Sequence, residues 1–211
     1  MAKTELYQLL LADIRHGNWR PGQVLTQQEL AEYYQVSRIP VRDALARLQA
    51  EGWLVTQGKA GVKVPSLSAT EAQELALIRL QLEPLLLKLA MPQLNFQRLG
   101  AARDCLLKAE ANDLTALVRG DLNWQFHQLL YQAANKPLML NLLNQLHQRV
   151  AMYLGFQALT LNYQQQSQTE HWQLLALLEQ GDVAAAEALL KNHISSASDL
   201  LVEYLTGTRH G

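Results

Sequence analysis

The most restrictive feature of this sequence is a pair of helix patterns joined by a very short connection. Thr26–Glu29 forms a capping box, in which the threonine and glutamate side chains can each satisfy a backbone amide at a helix start. Gln35–Val36 forms the connection, and Ser37 is the predicted cap of the next helix. That helix presents one apolar face, made by Val41, Ala44, Leu45 and Leu48. Two short helices held this way pack against each other and leave one face of the second exposed.

The segments around this pair complete a recognisable layout. An amphipathic helix is predicted over Thr4–His16, and Gly52 ends the helix that begins after Ser37. Short β-prone runs at 53–56 and 62–64 then flank Gly58–Gly61, which predicts a small hairpin. Helix, short helix, tight turn, helix and hairpin is the order of a winged helix-turn-helix, whose helix after the turn lies in the DNA major groove.

Two arginines on that helix are the predicted readers of DNA bases. Arg38 and Arg42 are four residues apart, on the face opposite the apolar one. An arginine there can donate two hydrogen bonds to guanine, while the helix N-terminus and the Ser37 hydroxyl can hold a phosphate. Lys59 lies at the predicted hairpin tip. The alternative is that both arginines merely solvate an exposed face, but their position just after the turn favours DNA binding.

The distribution of charge agrees with this division. Residues 1–64 hold eight Lys and Arg against six Asp and Glu, whereas the remainder holds ten against thirteen, for a net charge of −1. A mildly basic module therefore precedes a mildly acidic one, although ordinary surface scatter would look the same.

The remainder of the chain contains only helical patterns. They run approximately over 69–90, 92–110, 113–134, 137–158, 163–180 and 182–205. Pro84 falls inside the first of them and is expected to kink or split it. The predicted fold is mainly α: a DNA-binding domain at 1–65, a linker at 66–69, and an all-helical effector-binding and dimerisation domain at 70–211.

Several classes of protein do not fit. Cys105 is the only cysteine, which excludes a disulfide framework and a cysteine-based zinc cluster. No apolar run reaches the roughly 20 residues that span a bilayer, and the N-terminal stretch lacks the apolar segment of a signal peptide. We therefore expect a cytoplasmic protein with no membrane partner.

The helical part carries a possible metal site. Asn123 and His127 are four residues apart on one helix, and His171 and His193 belong to later helices. Three imidazoles and one oxygen from several helices suit Zn, Ni, Fe or Mn. The alternatives are that these are ordinary surface or core histidines, or that the metal serves an enzyme. The sequence shows no nucleophile motif or phosphate loop that would favour an enzyme.

The N-terminal motifs resemble the GntR family of bacterial regulators. The similarity runs from Pro21–Gly22 through the run Val36–Leu45 to Glu51–Gly52, and covers nearly all of residues 4–64. It implies DNA contacts at Gln28, Ser37, Arg38, Ile39, Pro40, Arg42, Gly58 and Lys59. Ile39 stands where threonine is usual and Gln28 where a charged side chain is often seen, which would change the bases that are read.

The C-terminal part resembles the FCD domain of the FadR subfamily, and its six predicted helices are most similar to the VanR-like branch. The similarity rests on 123–135 and on the segment from His171 to His193. It implies metal ligands at Asn123, His127, His171 and His193, with asparagine where aspartate is usual, and therefore weaker metal binding. It also implies an effector contact at Arg79, in the segment Arg79–Glu83.

Together these features predict a transcription regulator, and specifically a repressor. A homodimer would bind palindromic operator DNA, and a small carboxylate effector at the metal would control that binding. Two alternatives remain open at this point: a metal-dependent enzyme that uses the three-histidine site, and a DNA-binding architectural protein with an inert helical bundle.

Overall fold

A computed structural model describes residues 3–58, 61–66, 68–157 and 163–207. The chain divides into two compact units, Met1–Leu67 and Ser68–Gly211. Among the described residues, no helix combines the length and the apolarity needed to cross a membrane.

The first unit consists of three helices and a small sheet. Its helices are α1 (Lys3–Arg15), α2 (Gln27–Tyr33) and α3 (Arg38–Ala50). The predicted capping box is present: the Thr26 hydroxyl accepts from the Glu29 amide (3.2 Å), and the Glu29 carboxylate accepts from the Thr26 amide (3.0 Å). Gln35 has a left-handed φ of 53°, which turns the chain sharply between α2 and α3. Both α1 and α2 pack against α3.

The sheet of the first unit is antiparallel, with β3 (Gly61–Lys63) between β1 (Val24–Leu25) and β2 (Val55–Gln57). The β2–β3 pair confirms the predicted hairpin, while β1 was not predicted. Gly61 has a φ of 142°, and a Cβ there would lie 2.4 Å from the Leu25 carbonyl oxygen. Only glycine therefore lets β1 approach β3 this closely.

Within its described residues, the second unit contains six α-helices. They are α4 (Ala69–Ala90), α5 (Phe96–Ala109), α6 (Ala116–Tyr131), α7 (Pro137–Gln157), α8 (Tyr163–Gln180) and α9 (Val183–Thr206). Short 3-10 turns follow α4 at Met91–Gln93 and α6 at Gln132–Ala134. Asn135 ends the second turn in a left-handed conformation with a φ of 50°.

The six helices enclose one apolar core. α4 packs along α9 and also contacts α6 and α7, while α5 packs on α6 and α8. Phe126, Leu130 and Leu175 lie at the centre of this core and are fully buried. Of the two outcomes expected of Pro84, a kink or a split of this helix, the split is wrong: α4 continues through Pro84, which is buried. The packing of α4 on its neighbours outweighs the roughly 3 kcal/mol cost of proline within a helix.

Candidate nucleic-acid interface and metal centre

The fold of the first unit leaves one face of α3 open to solvent. Val41, Ala44, Leu45 and Leu48 are buried, as predicted. The opposite face exposes Arg38 and Arg42, together with Ile39, whose side chain is 60% exposed. Pro40, in the first turn, is half-buried. The exposed face of α3 therefore combines two positively charged side chains with one large apolar side chain.

Hydrogen bonds hold the Arg38 guanidinium from the neighbouring helix. Arg38 Nη2 donates to Gln28 Oε1 (3.1 Å), and Gln28 Nε2 donates to Glu32 Oε1 (3.1 Å). Arg42 instead forms a loose pair with Asp43 at 3.4 Å. The structure thus brings Gln28 of α2 to Arg38 of α3, and the amide positions the guanidinium at the exposed surface.

Three further residues were predicted to contact DNA: Ser37, Gly58 and Lys59. Ser37 is the N-cap of α3 by its backbone, and its side chain makes no capping hydrogen bond within the described residues. Gly58 is exposed and left-handed, with a φ of 51°, at the end of β2. Lys59 lies outside the described residues.

Three histidines from three helices converge in the second unit. His127 of α6, His171 of α8 and His193 of α9 are all buried, and their nearest ring nitrogens lie within 4.8 Å of one another. His127 Nε2 is 3.2 Å from His171 Nε2. Two imidazole nitrogens that share a zinc ion, each about 2.0–2.1 Å from it, lie no more than ~4.2 Å apart. The 3.2 Å pair already meets this limit, and the widest separation in the cluster needs to close only from at most 4.8 Å for all three nitrogens to share one ion.

The electrostatics of the cluster favour neutral imidazoles. Burial, followed by the neighbouring His171 and His193, holds the pKa of His127 well below its usual range. Burial and His193 have the same effect on the pKa of His171. A neutral imidazole keeps a lone pair, so both side chains are able to ligate a metal at neutral pH.

A carboxylate lies behind His193. His193 Nδ1 donates to Glu170 Oε2 (2.7 Å), and Glu170 also accepts from Tyr163 (3.1 Å) and Gln166 (2.9 Å). The hydrogen bond from His193 is the main cause that lowers the pKa of the Glu170 carboxyl, which is therefore ionised at neutral pH.

A second chain of contacts lies behind His127. Arg79 Nε donates to Glu83 Oε1 (2.6 Å), and the Tyr131 hydroxyl donates to Glu83 Oε2 (2.7 Å). The same hydroxyl is 3.3 Å from His127 Nδ1. Burial, followed by Glu83, raises the pKa of Tyr131 well above its usual range, so the hydroxyl keeps its proton. Glu83 is fully buried and the Arg79 side chain is 12% exposed, which makes this an internal ion pair joined to the histidine cluster.

Asn123 lies one helical turn before His127, and Ser167 one turn before His171. Asn123 Nδ2 is 3.4 Å from Ser167 Oγ and can donate to it. The carbonyl oxygen of Asn123 is the atom able to ligate a metal. His147 is buried beside the site, and its ring stacks on Trp124 with 4.1 Å between centroids.

Sequence reasoning missed four polar neighbours of the cluster: Tyr131, Tyr163, Ser167 and Glu170. A signal for two of them was present, because Tyr131 follows His127 by four residues and Ser167 precedes His171 by four, so each shares a helix face with a histidine. Glu170 and Tyr163 carried no such signal. They reach His193 only because α8 and α9 pack together.

Comparison with known proteins assigns both units. The model of the bacterial regulatory proteins of the gntR family matches residues 2–64, and the model of the FCD domain matches residues 74–196. The chain is 28% identical over 193 residues to the Nta operon transcriptional regulator of Aminobacter aminovorans, covering 90% of each chain. It is 26% identical to the HTH-type transcriptional repressor GlaR of Escherichia coli, over 95% of this chain and 96% of the repressor.

A solved structure gives the same picture. A transcriptional regulator and GntR family member from Pseudomonas syringae pv. tomato is 30% identical and superposes with a TM-score of 0.60, over 97% of this chain and 88% of that one.

Proposed function

Because this chain is a DNA-binding transcription regulator of the gntR family with an FCD domain, and not an enzyme, we propose that a small carboxylate controls its affinity for operator DNA. The effector binds at a divalent metal held by the three-histidine cluster. The observation that carries the proposal is the convergence of three buried histidines, joined through Tyr131 and Glu83 to a partly buried arginine.

The first unit supplies the DNA contacts. Arg38 and Arg42 donate to guanine edges in the major groove, and the Ser37 hydroxyl with the first amides of α3 holds a phosphate. Ile39 packs on a thymine methyl group, since an exposed apolar side chain at this position gains most from that contact. Gln28 of α2, Gly58 and Lys59 complete the proposed set of DNA contacts.

The metal is held by His127, His171 and His193, with the Asn123 carbonyl oxygen as a fourth, uncharged ligand. When bound, the ion supplies a positive charge with an open position for an anion. Zn, Ni, Fe and Mn all suit such a ligand set. Because none of the four ligands is itself charged, an anion is favoured at the open position over a sugar or an amine.

Arg79 supplies the second contact to the effector. Arg79 pairs with Glu83, which accepts from the Tyr131 hydroxyl, and that hydroxyl is 3.3 Å from His127 Nδ1, so Arg79 is linked to the cluster. A guanidinium can hold a carboxylate with two parallel hydrogen bonds. A shallow surface groove of about 580 Å³ elsewhere in this unit, lined by Leu89 and Lys136 among others, includes none of the histidines. We therefore assign the effector site to the histidine cluster, which offers metal ligands with Arg79 close by, and not to the groove.

The route to the DNA-binding unit runs along α4. This helix carries Arg79 and begins at Ala69, directly after the segment that joins the two units. An acid held between Arg79 and the metal ties α4 to α6, α8 and α9. The acid changes the free energy of operator binding by the difference between its binding free energies for the DNA-bound and the DNA-free protein. We expect the acid to weaken operator binding, as in a repressor released by its ligand.

The effector prediction is tested on the full chain loaded with Zn²⁺. A set of organic acids is screened by thermal shift, and each hit is titrated into a complex with operator DNA that the protein has itself selected from random sequence. We expect hits to weaken operator binding roughly 5- to 150-fold, the usual range of coupling between sites. Arg79→Ala should weaken effector binding roughly 10- to 150-fold, the value of a hydrogen bond to a charged group.

Two further variants make the result specific to the guanidinium. Arg79→Lys keeps a positive charge beside the buried Glu83 but cannot donate bidentately, so it should fold well and still bind the acid poorly. Arg103→Ala, which removes an exposed arginine paired with Glu179, should bind like the wild type. The mechanism is wrong if hits bind Arg79→Ala as well as the wild type, or if they leave operator affinity unchanged.

The homodimer forms through an apolar surface of the helical unit. Leu85 and Leu89 are one turn apart on α4, Leu138 and Leu142 are one turn apart on α7, and all four are between 39% and 82% exposed. Leu89 and Lys136 line the same groove, so the two pairs adjoin. A patch of this kind marks an interaction site, and a palindromic operator requires two copies related by a two-fold axis.

Light scattering at low micromolar concentration checks this assignment. The wild type should have the mass of a dimer, and Leu85→Glu with Leu138→Glu should have that of a monomer, because four buried charges would face one another. Leu107→Glu, at a comparably exposed leucine on α5, should stay dimeric. A wild type that is monomeric both free and on DNA would rule out the dimer, and a dimeric double variant would rule out this surface.

A further inference from the structure

His193 and His127 each have a polar partner at Nδ1, and both imidazoles are fixed in the same tautomer. The Glu170 carboxylate accepts from Tyr163 and Gln166 and lies 2.7 Å from His193 Nδ1, so that nitrogen donates its proton and Nε2 keeps the lone pair. The Tyr131 hydroxyl gives its single proton to Glu83, so it accepts from His127 Nδ1. His127 therefore also presents Nε2 to the cluster, where that atom lies 3.2 Å from His171 Nε2.

The two carboxylates differ in the charge that they offer the metal. Glu83 is paired with Arg79, so its negative charge is neutralised where it lies. The hydrogen-bond partners of Glu170 among the described residues are Tyr163, Gln166 and His193, and none of them is a lysine or arginine. Its charge is therefore directed at the imidazole of His193.

This difference matters because residue 123 is an amide. Asn123 brings an oxygen but no negative charge, and it is held through Ser167 Oγ at 3.4 Å. A carboxylate that accepts from a ligating imidazole makes the imidazole a stronger donor and fixes its ring. Resting on the metal site proposed above, we propose that Glu170 supplies through His193 the negative charge that Asn123 does not bring to the metal. Glu170 is a positioning residue, since it contacts the ligand and not the ion.

A double-mutant cycle on the full chain tests this role. The affinity for Zn²⁺ is measured by competition with a chromophoric chelator in the wild type, Glu170→Gln, Asn123→Asp and the double variant. Glu170→Gln keeps the shape of the side chain and removes its charge, so affinity should fall roughly 10- to 100-fold. Asn123→Asp should raise the affinity for Zn²⁺. In the double variant, Glu170→Gln should lower that affinity by a clearly smaller factor, because the aspartate at position 123 then supplies the negative charge directly.

Co²⁺ absorption gives a second readout that does not depend on DNA binding. Its visible bands report the donors and geometry around the ion, and they should shift in Glu170→Gln. Glu179→Gln is the matched control: it lies on the same helix, its carboxylate pairs with Arg103, and both readouts should stay as in the wild type. Should Glu170→Gln fail to fold, Glu170→Asp keeps the charge on a shorter side chain and should bind Zn²⁺ with intermediate affinity.

The outcomes separate the two proposals. A wild type that binds none of Zn²⁺, Ni²⁺ and Mn²⁺ at micromolar concentration would overturn the metal site, and this inference with it. A wild type that binds metal while Glu170→Gln matches it in affinity and Co²⁺ spectrum would overturn the inference alone. The inference alone is also overturned if Glu170→Gln costs as much affinity with aspartate at position 123 as with asparagine.

Discussion

Replacing both Arg38 and Arg42 with alanine should abolish sequence-specific DNA binding while the protein stays folded. Each bidentate contact to a base contributes about 1–3 kcal/mol of discrimination, so the double variant should lose roughly 10²- to 10⁴-fold in the ratio of operator to unrelated DNA affinity. Both side chains are exposed and lie opposite the buried face of α3, so their loss should leave the unfolding temperature nearly unchanged. Fluorescence anisotropy at one fixed salt concentration measures both affinities.

Arg47→Ala is the control on the same helix. Arg47 is exposed too, but it pairs with Glu51 (2.9 Å) and its guanidinium lies 3.7 Å from the centre of the Tyr7 ring, so it is engaged with α1 and not with the reading face. This variant should keep its sequence specificity. If the Arg38 and Arg42 double variant keeps it as well, α3 is not the reading helix.

Removing one histidine of the cluster should nearly eliminate metal binding. Structural zinc sites with four ligands bind with about 10–16 kcal/mol, which corresponds to roughly 2.5–4 kcal/mol for each ligand. His171→Ala should therefore weaken Zn²⁺ or Ni²⁺ binding by about 10²- to 10³-fold, measured by calorimetry on protein stripped of metal. His193→Ala and His127→Ala should behave alike, because the three nitrogens act on one ion.

His147→Phe is the control for this experiment. The replacement keeps an aromatic ring stacked on Trp124 and removes the ring nitrogens of a buried histidine beside the cluster. Its metal affinity should stay within a few-fold of the wild type. The assignment of the ligands is wrong if His171→Ala binds metal as tightly as the wild type with its fold intact, or if His147→Phe loses binding to the same extent.

The amino-acid sequence predicted more of the candidate DNA-binding site than of the candidate metal site. The proposed DNA-reading face follows from local pattern: the turn at Gln35–Val36 and the apolar spacing of α3 place Arg38 and Arg42 outward, and the structure has both exposed. The hydrogen bond from Arg38 to Gln28 joins two helices, and no spacing along the chain indicates it. The strand β1 was missed because two residues, Val24–Leu25, carry no detectable alternation.

In the helical unit, the helices and the residues that line one face of each helix were predicted from periodicity. The first helix was expected over 69–90 and spans Ala69–Ala90. Spacing also paired Asn123 with His127. It could not show that His127, His171 and His193 meet, and that expectation came from resemblance to a family. The contact of His127 with His171 spans 44 residues of chain and depends on how α6 and α8 pack.

The sequence by itself determined the local features of this protein: helix starts and ends, the sharp turn before α3, the hairpin, and the outward face of each helix. These depend on hydrogen bonds and side-chain contacts within a few residues, so the residues themselves encode them. Only the tertiary structure decided that α4 runs unbroken through Pro84, that Glu170 lies behind His193, and that Glu83 joins Arg79 to Tyr131. Apolar burial against other helices offsets the cost of a helix proline, and ion pairs and hydrogen bonds offset the cost of an internal charge. The burial, and the partners that come from other helices, exist only once the helices have packed.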